Sequence, residues 1–251
     1  MKRIDNIDYV GFRHPEQVLD VYLPDAPSFP VFVYFHGGGI EAGDKAMDHF
    51  FEGLQKQGIA VVSANYRMYP QAVYPEFIRD AASAVAWTKH NMGQYGEVTG
   101  IFVGGSSAGG YLTQMLCFDK RYLAAHKMDA DAISGYIMDA GQPTVHFNVL
   151  RERGINSKRV MIDEAAPIYH ITSGRNYAPM QIIVSEMDIA NRFAQTQLLL
   201  STLEDLGMDM TSVDYRYMKG FRHCQYINVQ NDAGEYIFAE MIREFIQKHI
   251  Q

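Results

Sequence analysis

Three short apolar runs, Ala60-Val61-Val62, Ile101-Phe102-Val103 and Ile182-Ile183-Val184, show no alternation with polar residues. A strand with one wet face alternates at every second position, whereas a strand covered on both faces does not. These runs therefore predict central strands of a parallel sheet. Between them, Met47, Phe50, Phe51 and Leu54 recur at helical spacing, as do Ala81 and Val85, with Trp87 and flanking alanines close by. Strand and helix alternate along the chain, which places it in the α/β class with a mostly parallel sheet flanked by helices.

Residues 18–23 and 31–35 also read as strands, with turn-forming residues over 24–30, a pattern that suits an N-terminal hairpin. Further strands are predicted over 132–138 and 210–217, and amphipathic helices over 193–206 and 235–250. Residues 141–174 have no sustained period. A structureless loop of that length is uncommon unless it has a function, so short helices forming a small lid inside a single domain of residues 1–251 are expected there.

Composition narrows the partners. Of 251 residues 47% are hydrophobic and 20% charged, as in a packed globular domain. The formal net charge is −7 and the cations are scattered singly, so no basic stripe exists to neutralise a nucleic acid. The first ten residues lack the apolar core of a signal peptide, and no run approaches the roughly 18 apolar residues of a membrane span. A soluble cytoplasmic protein is expected. Cys117 and Cys224 have no C-x-x-C spacing, and the nine histidines include neither H-E-x-x-H nor H-x-H. Neither a disulfide framework nor a metal site is expected, and no cofactor.

The strongest chemical signal is Gly104-Gly105-Ser106-Ser107-Ala108-Gly109-Gly110, directly after an apolar strand and before a helical stretch over 111–118. In a G-x-S-x-G elbow the serine sits in a strained turn, and its neighbours must be small because strand and helix nearly touch. Ser107 has Gly105 and Gly109 as flanks, whereas Ser106 would have the less permissive pair Gly104 and Ala108, so Ser107 is the expected nucleophile. A phosphate-binding turn fits less well, since there is no Walker lysine and no G-x-G-x-x-G register. The second signal is His36-Gly37-Gly38-Gly39, after the strand at 31–35. Consecutive glycines can turn their N–H groups toward one point, as a tetrahedral oxyanion requires. Gly38, Gly39 and Ala108 are the expected donors.

On these residues, and on Leu19-Asp20-Val21-Tyr22-Leu23-Pro24, Asn65-Tyr66-Arg67-Met68-Tyr69-Pro70, the stretch from Tyr74-Pro75 through Asp80 to Trp87, Asp188 and His223, the chain resembles a known group. It is similar to α/β-hydrolase esterases of the hormone-sensitive-lipase type and the related feruloyl and acetyl esterase-like group. The resemblance implies the α/β-hydrolase fold and an esterase with a Ser, His and Asp triad and no cofactor. The chain is short beside the lipase-type relatives, with little room for their N-terminal cap, so large lipids are not the expected substrates.

In that fold the order along the chain is nucleophile, acid, base. Of the histidines after Ser107, His223 lies in a loop between the last strand and the last helix, where the fold presents its base. His249, near the end of the final helix, suits a favourable charge at a helix C-terminus instead. Asp188 follows the strand at 181–184 and matches the family position of the acid, with Glu186, Asp214 and Asp139 as rivals. Arg67 and Asp80 are given a structural role as partners. The expected chemistry is two-step acyl transfer on short to medium acyl esters. A carbohydrate ester is suggested by the resemblance alone. An amidase or peptidase on the same fold and a non-catalytic ligand-binding relative are the rival readings. The expected partner is a small-molecule ester, with neither nucleic acid nor membrane, and self-association is left open.

Overall fold

The computed structural model describes residues 2–250. The strands are β1 (Lys2–Asp8), β2 (Val18–Leu23), β3 (Ser28–Phe35), β4 (Ala60–Ala64), β5 (Glu97–Ser106), β6 (Gly135–Asp139), β7 (Met180–Met187) and β8 (Val213–Arg222). They form one sheet in the order β1-β2-β4-β3-β5-β6-β7-β8. All pairings from β4 across to β8 are parallel, while β2 runs antiparallel to β4, and β1 to β2. The helices are α1 (Phe51–Lys56), α2 (Glu76–Asn91), α3 (Ala108–Phe118), α4 (Arg121–Ala124), α5 (Phe147–Glu152), α6 (Arg192–Asp205) and α7 (Ile237–His249).

The unbroken apolar strands are explained by two cores, one on each face. Along β3, Val31, Val33 and Phe35 belong to one core with Phe77 of α2, Leu112 and Met115 of α3 and Leu199 of α6. The alternate residues Phe32 and Tyr34 face Phe51 and Leu54 of α1 and Phe238, Ile242 and Phe245 of α7. A strand buried on both faces can carry an apolar side chain at every position.

The predicted N-terminal hairpin is not formed: β2 and β3 do not pair, because β4 lies between them. Val62 of β4 stands opposite Val21 on one side and Val33 on the other. Pairing β2 with β3 would leave β4 at an edge with its apolar residues half covered, whereas insertion gives this fully buried strand two ladders. On its other side β2 pairs with β1, a polar edge strand that hydrophobic pattern does not mark. Elsewhere the shifts are small: β6 begins at Gly135, β8 begins at Val213 and runs on to Arg222, and the helix read from Met47 begins at Phe51.

Residues 141–174 contain α5 and a 3-10 turn over Pro167–His170. Val145, Val149, Leu150, Ala165 and Ile168 of this stretch join the core on the α3 side. The absent period reflects short pieces that each bury a few residues. No helix among the described residues is long and apolar enough to cross a membrane.

Candidate active site

In an open α/β sheet the chemistry collects at the carboxyl ends of the strands. Here β5 delivers Ser107, β7 delivers Asp188 and β8 delivers His223. Ser107 has φ +57° and ψ −109°, a conformation that an L-residue adopts only when its surroundings impose it. The imposition is visible: its N–H donates to the Asp139 carbonyl at 2.8 Å, and α3 begins against the end of β3. A Cβ on Gly109 would lie 1.9 Å from the Phe35 carbonyl oxygen, and one on Gly105 2.5 Å from the Gly109 carbonyl carbon. The glycines of the elbow are therefore required by close approach. Ser106 points to the other face, where its hydroxyl accepts from Tyr34 at 3.1 Å and is buried.

His223 Nε2 lies 2.8 Å from Ser107 Oγ, and His223 Nδ1 lies 2.6 Å from Asp188 Oδ1. An ionised carboxylate can only accept, so Nδ1 carries the proton and Nε2 is left to accept from the serine hydroxyl. The Asp188 side chain is buried, and it also accepts from the N–H groups of Ile189 at 2.8 Å and Ser185 at 3.2 Å. A bulge aligns the two strands: β7 and β8 shift register between Ser185 and Met187, which brings Met187 opposite Arg222. Ser185 Oγ donates to the Arg222 carbonyl at 2.8 Å, fixing the residue next to His223.

The rival acids lie elsewhere. Glu186 accepts the Gly220 N–H at 2.7 Å within the bulge, and Asp214 pairs with Arg216 at 2.9 Å. Asp139 is fully buried at the end of β6, where it accepts from the Tyr226 hydroxyl and makes no hydrogen bond to His223. Burial raises its pKa to about 6, opposed by hydrogen bonding from Ser106 and Tyr226 and by attraction to His223. Arg67 and Asp80 form an ion pair at 2.8 Å, to which Gln17 adds a hydrogen bond.

The glycine loop after β3 is held by its carbonyls. His36 Nδ1 donates to the Gly37 carbonyl at 2.7 Å, and the Gly38 carbonyl accepts from Glu41 N at 3.2 Å and Ala42 N at 3.0 Å. Burial lowers the His36 pKa, which keeps the ring neutral, and the ring stacks on Tyr66 at 4.5 Å. A trans peptide points its N–H opposite its carbonyl, so fixing the Gly37 and Gly38 carbonyls fixes the N–H groups of Gly38 and Gly39. Gly38 and Gly39 have φ of +108° and +68°. The N–H groups of Gly38, Gly39 and Ala108 have no acceptor among the described residues.

Sequence reasoning missed Arg192. The first residue of α6, it is buried, donates to the Ala140 carbonyl and to Gln142 Oε1 at 3.3 Å, and has no carboxylate within ion-pair distance among the described residues. Burial lowers its pKa to about 10, and attraction to Asp188 and Asp139 offsets part of that. It lies on an amphipathic helix start with nothing local to distinguish it from a surface cation.

Residues 19–150, just over half of the chain, match the BD-FAE family model. Esterase LipC of Mycobacterium tuberculosis is 27% identical over 234 residues, covering 83% of this chain and 57% of LipC, so the chain spans little more than half of that relative's length. Among solved structures, esterase B from Lactobacillus Rhamnosis superposes with a TM-score of 0.80 at 17% identity, covering 98% of this chain and 85% of that one. A truncated carbohydrate esterase from gut microbiota gives 0.78 at 18% identity, covering 98% and 97%. At these identities the structural likeness shows a shared α/β-hydrolase fold, and the family match is carried by the stretch holding the glycine loop and the serine elbow. The chain belongs to the BD-FAE family.

Proposed function

We propose that this protein is a serine carboxylesterase that hydrolyses short to medium acyl esters through Ser107, His223 and Asp188. The observation that carries the reading is the unbroken line of hydrogen bonds from Ser107 Oγ to His223 Nε2 at 2.8 Å and from His223 Nδ1 to Asp188 at 2.6 Å, starting at a serine held at φ +57°. His223 takes the hydroxyl proton as Ser107 attacks the ester carbonyl. Asp188 stabilises the imidazolium and holds its tautomer. The carbonyl oxygen becomes an oxyanion, for which the free N–H groups of Gly38, Gly39 and Ala108 are the available donors. Each such donor is worth roughly 10²–10³ in rate. The imidazolium then protonates the leaving alcohol, and water, activated by the same imidazole, releases the carboxylic acid and restores the serine.

The named esterase relatives support ester hydrolysis, and the gut carbohydrate esterase supports a sugar as the alcohol half. Turnover of nitrophenyl esters of increasing chain length, followed by a panel of acetylated sugars, tests both parts. Absence of turnover on every ester, together with no labelling of Ser107 by a fluorophosphonate, would overturn the reading.

A further inference from the structure

Two of the three carbonyls in the glycine loop are held by the loop's own neighbourhood. The third, that of Gly39, is held from far away in the chain: Asn148 Nδ2 donates to it at 2.8 Å. Gly39 has no side chain to restrict its backbone, so its φ and ψ are set by whatever fixes the peptide plane on each side. The plane before it is fixed by the Gly38 carbonyl, bound to Glu41 N and Ala42 N. The plane after it is fixed by Asn148.

Asn148 is itself well anchored. It is buried, it belongs to α5, and its own N–H donates to His146 Nδ1 at 3.2 Å. Burial and the nearby charges of Arg192 and Arg151 keep His146 neutral, so that nitrogen stays an acceptor. The adjacent Phe147 ring closes the space beside the loop, with its edge 3.0 Å from where a Gly39 Cβ would stand. An Arg151–Glu41 ion pair crosses the same junction, but both partners are about two-fifths exposed, and such pairs contribute little.

We propose that Asn148 is a positioning residue for the oxyanion loop, holding the peptide that joins Gly39 to Ile40 and so anchoring the far end of the loop that aims the Gly38 and Gly39 N–H groups at the developing oxyanion. The inference rests on the acyl-transfer reading above and extends it to Asn148 of α5, which thereby acts in transition-state stabilisation without touching the substrate.

The test uses Asn148→Leu, which keeps the volume and removes the donor, and Asn148→Ser, a smaller change that serves if the leucine variant does not fold. Each is compared with wild type in kcat and KM for a short-chain nitrophenyl ester. Each is also compared in affinity for a trifluoromethyl ketone, whose adduct with Ser107 places a negative oxygen in the oxyanion hole. A donor that is misaimed rather than deleted costs less than a lost one, so kcat should fall by about 10- to 100-fold. KM should stay within about threefold, because the loop acts on the transition state. Ketone affinity should fall in step with kcat/KM. Arg151→Gln, which cuts the other tie across the junction, should remain near wild type. The inference is overturned if the folded Asn148 variants keep their kcat, if ketone affinity does not follow kcat/KM, or if Arg151→Gln loses as much as they do. Failure of the wild type itself to turn over any ester would sink the esterase reading instead, so the two failures are separable.

Discussion

At the scale of single residues, two adjacent serines have opposite fates. Ser107 stands at the strained turn facing His223, while Ser106 is turned to the other face of the sheet toward Tyr34. Ser107→Ala should therefore lower turnover by on the order of 10⁶, as for other members of a concerted triad, and Ser106→Ala should be far milder. A nitrophenyl ester assay of both variants decides it, and a severe loss in Ser106→Ala alone would put the nucleophile in the wrong place. The acid is graded differently. Asp188→Asn leaves nucleophile and base in place but removes the carboxylate that sets the imidazole tautomer, a loss on the order of 10⁴. Glu186→Gln keeps an acceptor for the Gly220 N–H and should stay near wild type. Equal losses in these two variants would contradict the assignment of the acid.

Elements place these residues by approaching one another more closely than side chains allow. The N-terminus of α3 sits on the end of β3, and a methyl group on Gly109 would overlap the Phe35 carbonyl. Gly109→Ala should cost about 3 kcal/mol or more, beyond the usual range for overpacking, because backbone rather than a mobile side chain must yield. Gly93 provides the contrast: nothing stands within 4 Å of where a methyl group on it would sit, and its φ is not positive. Gly93→Ala should be neutral or stabilising by up to about 1 kcal/mol through the unfolded chain. Urea unfolding of the two variants checks both, and equal effects would mean that the α3 to β3 approach is not limiting.

For the molecule as a whole, stability carries the signature of a buried carboxyl that makes no hydrogen bond to His223. Asp139 ionises near 3.8 in an open chain and near 6 in the fold, because burial penalises its charge. Between those values the folded state binds more protons than the unfolded one, so its contribution is present below the lower value and is lost as pH rises through the upper one. The loss is on the order of 3 kcal/mol. Asp139→Asn cannot ionise and should gain on wild type by that order as pH rises from 4 to 7. Denaturant unfolding across this range should show the two stability curves diverging; parallel curves would mean that Asp139 does not titrate in the fold. The Asp139 carboxyl is also the point where sequence reasoning was least equipped. A carboxylate at a strand end reads as solvated or catalytic, and only the tertiary structure shows it buried and bonded to Tyr226.

What the sequence determined by itself is local: apolar runs without alternation imply strands covered on both faces, helical spacing implies the flanking helices, and glycines around a serine imply an elbow with no room for side chains. Each rests on interactions within a few residues along the chain. The place of β4 between β2 and β3, the bulge that brings Asp188 beside His223, the turn of Ser106 away from the site, and the grip of Asn148 on Gly39 belong to the tertiary structure. Asn148 and Gly39 are 109 residues apart, and His223 and Ser107 are 116 apart. Contacts at such separations leave no period and no spacing in the sequence, because they are decided by which strands and helices bury their apolar faces together.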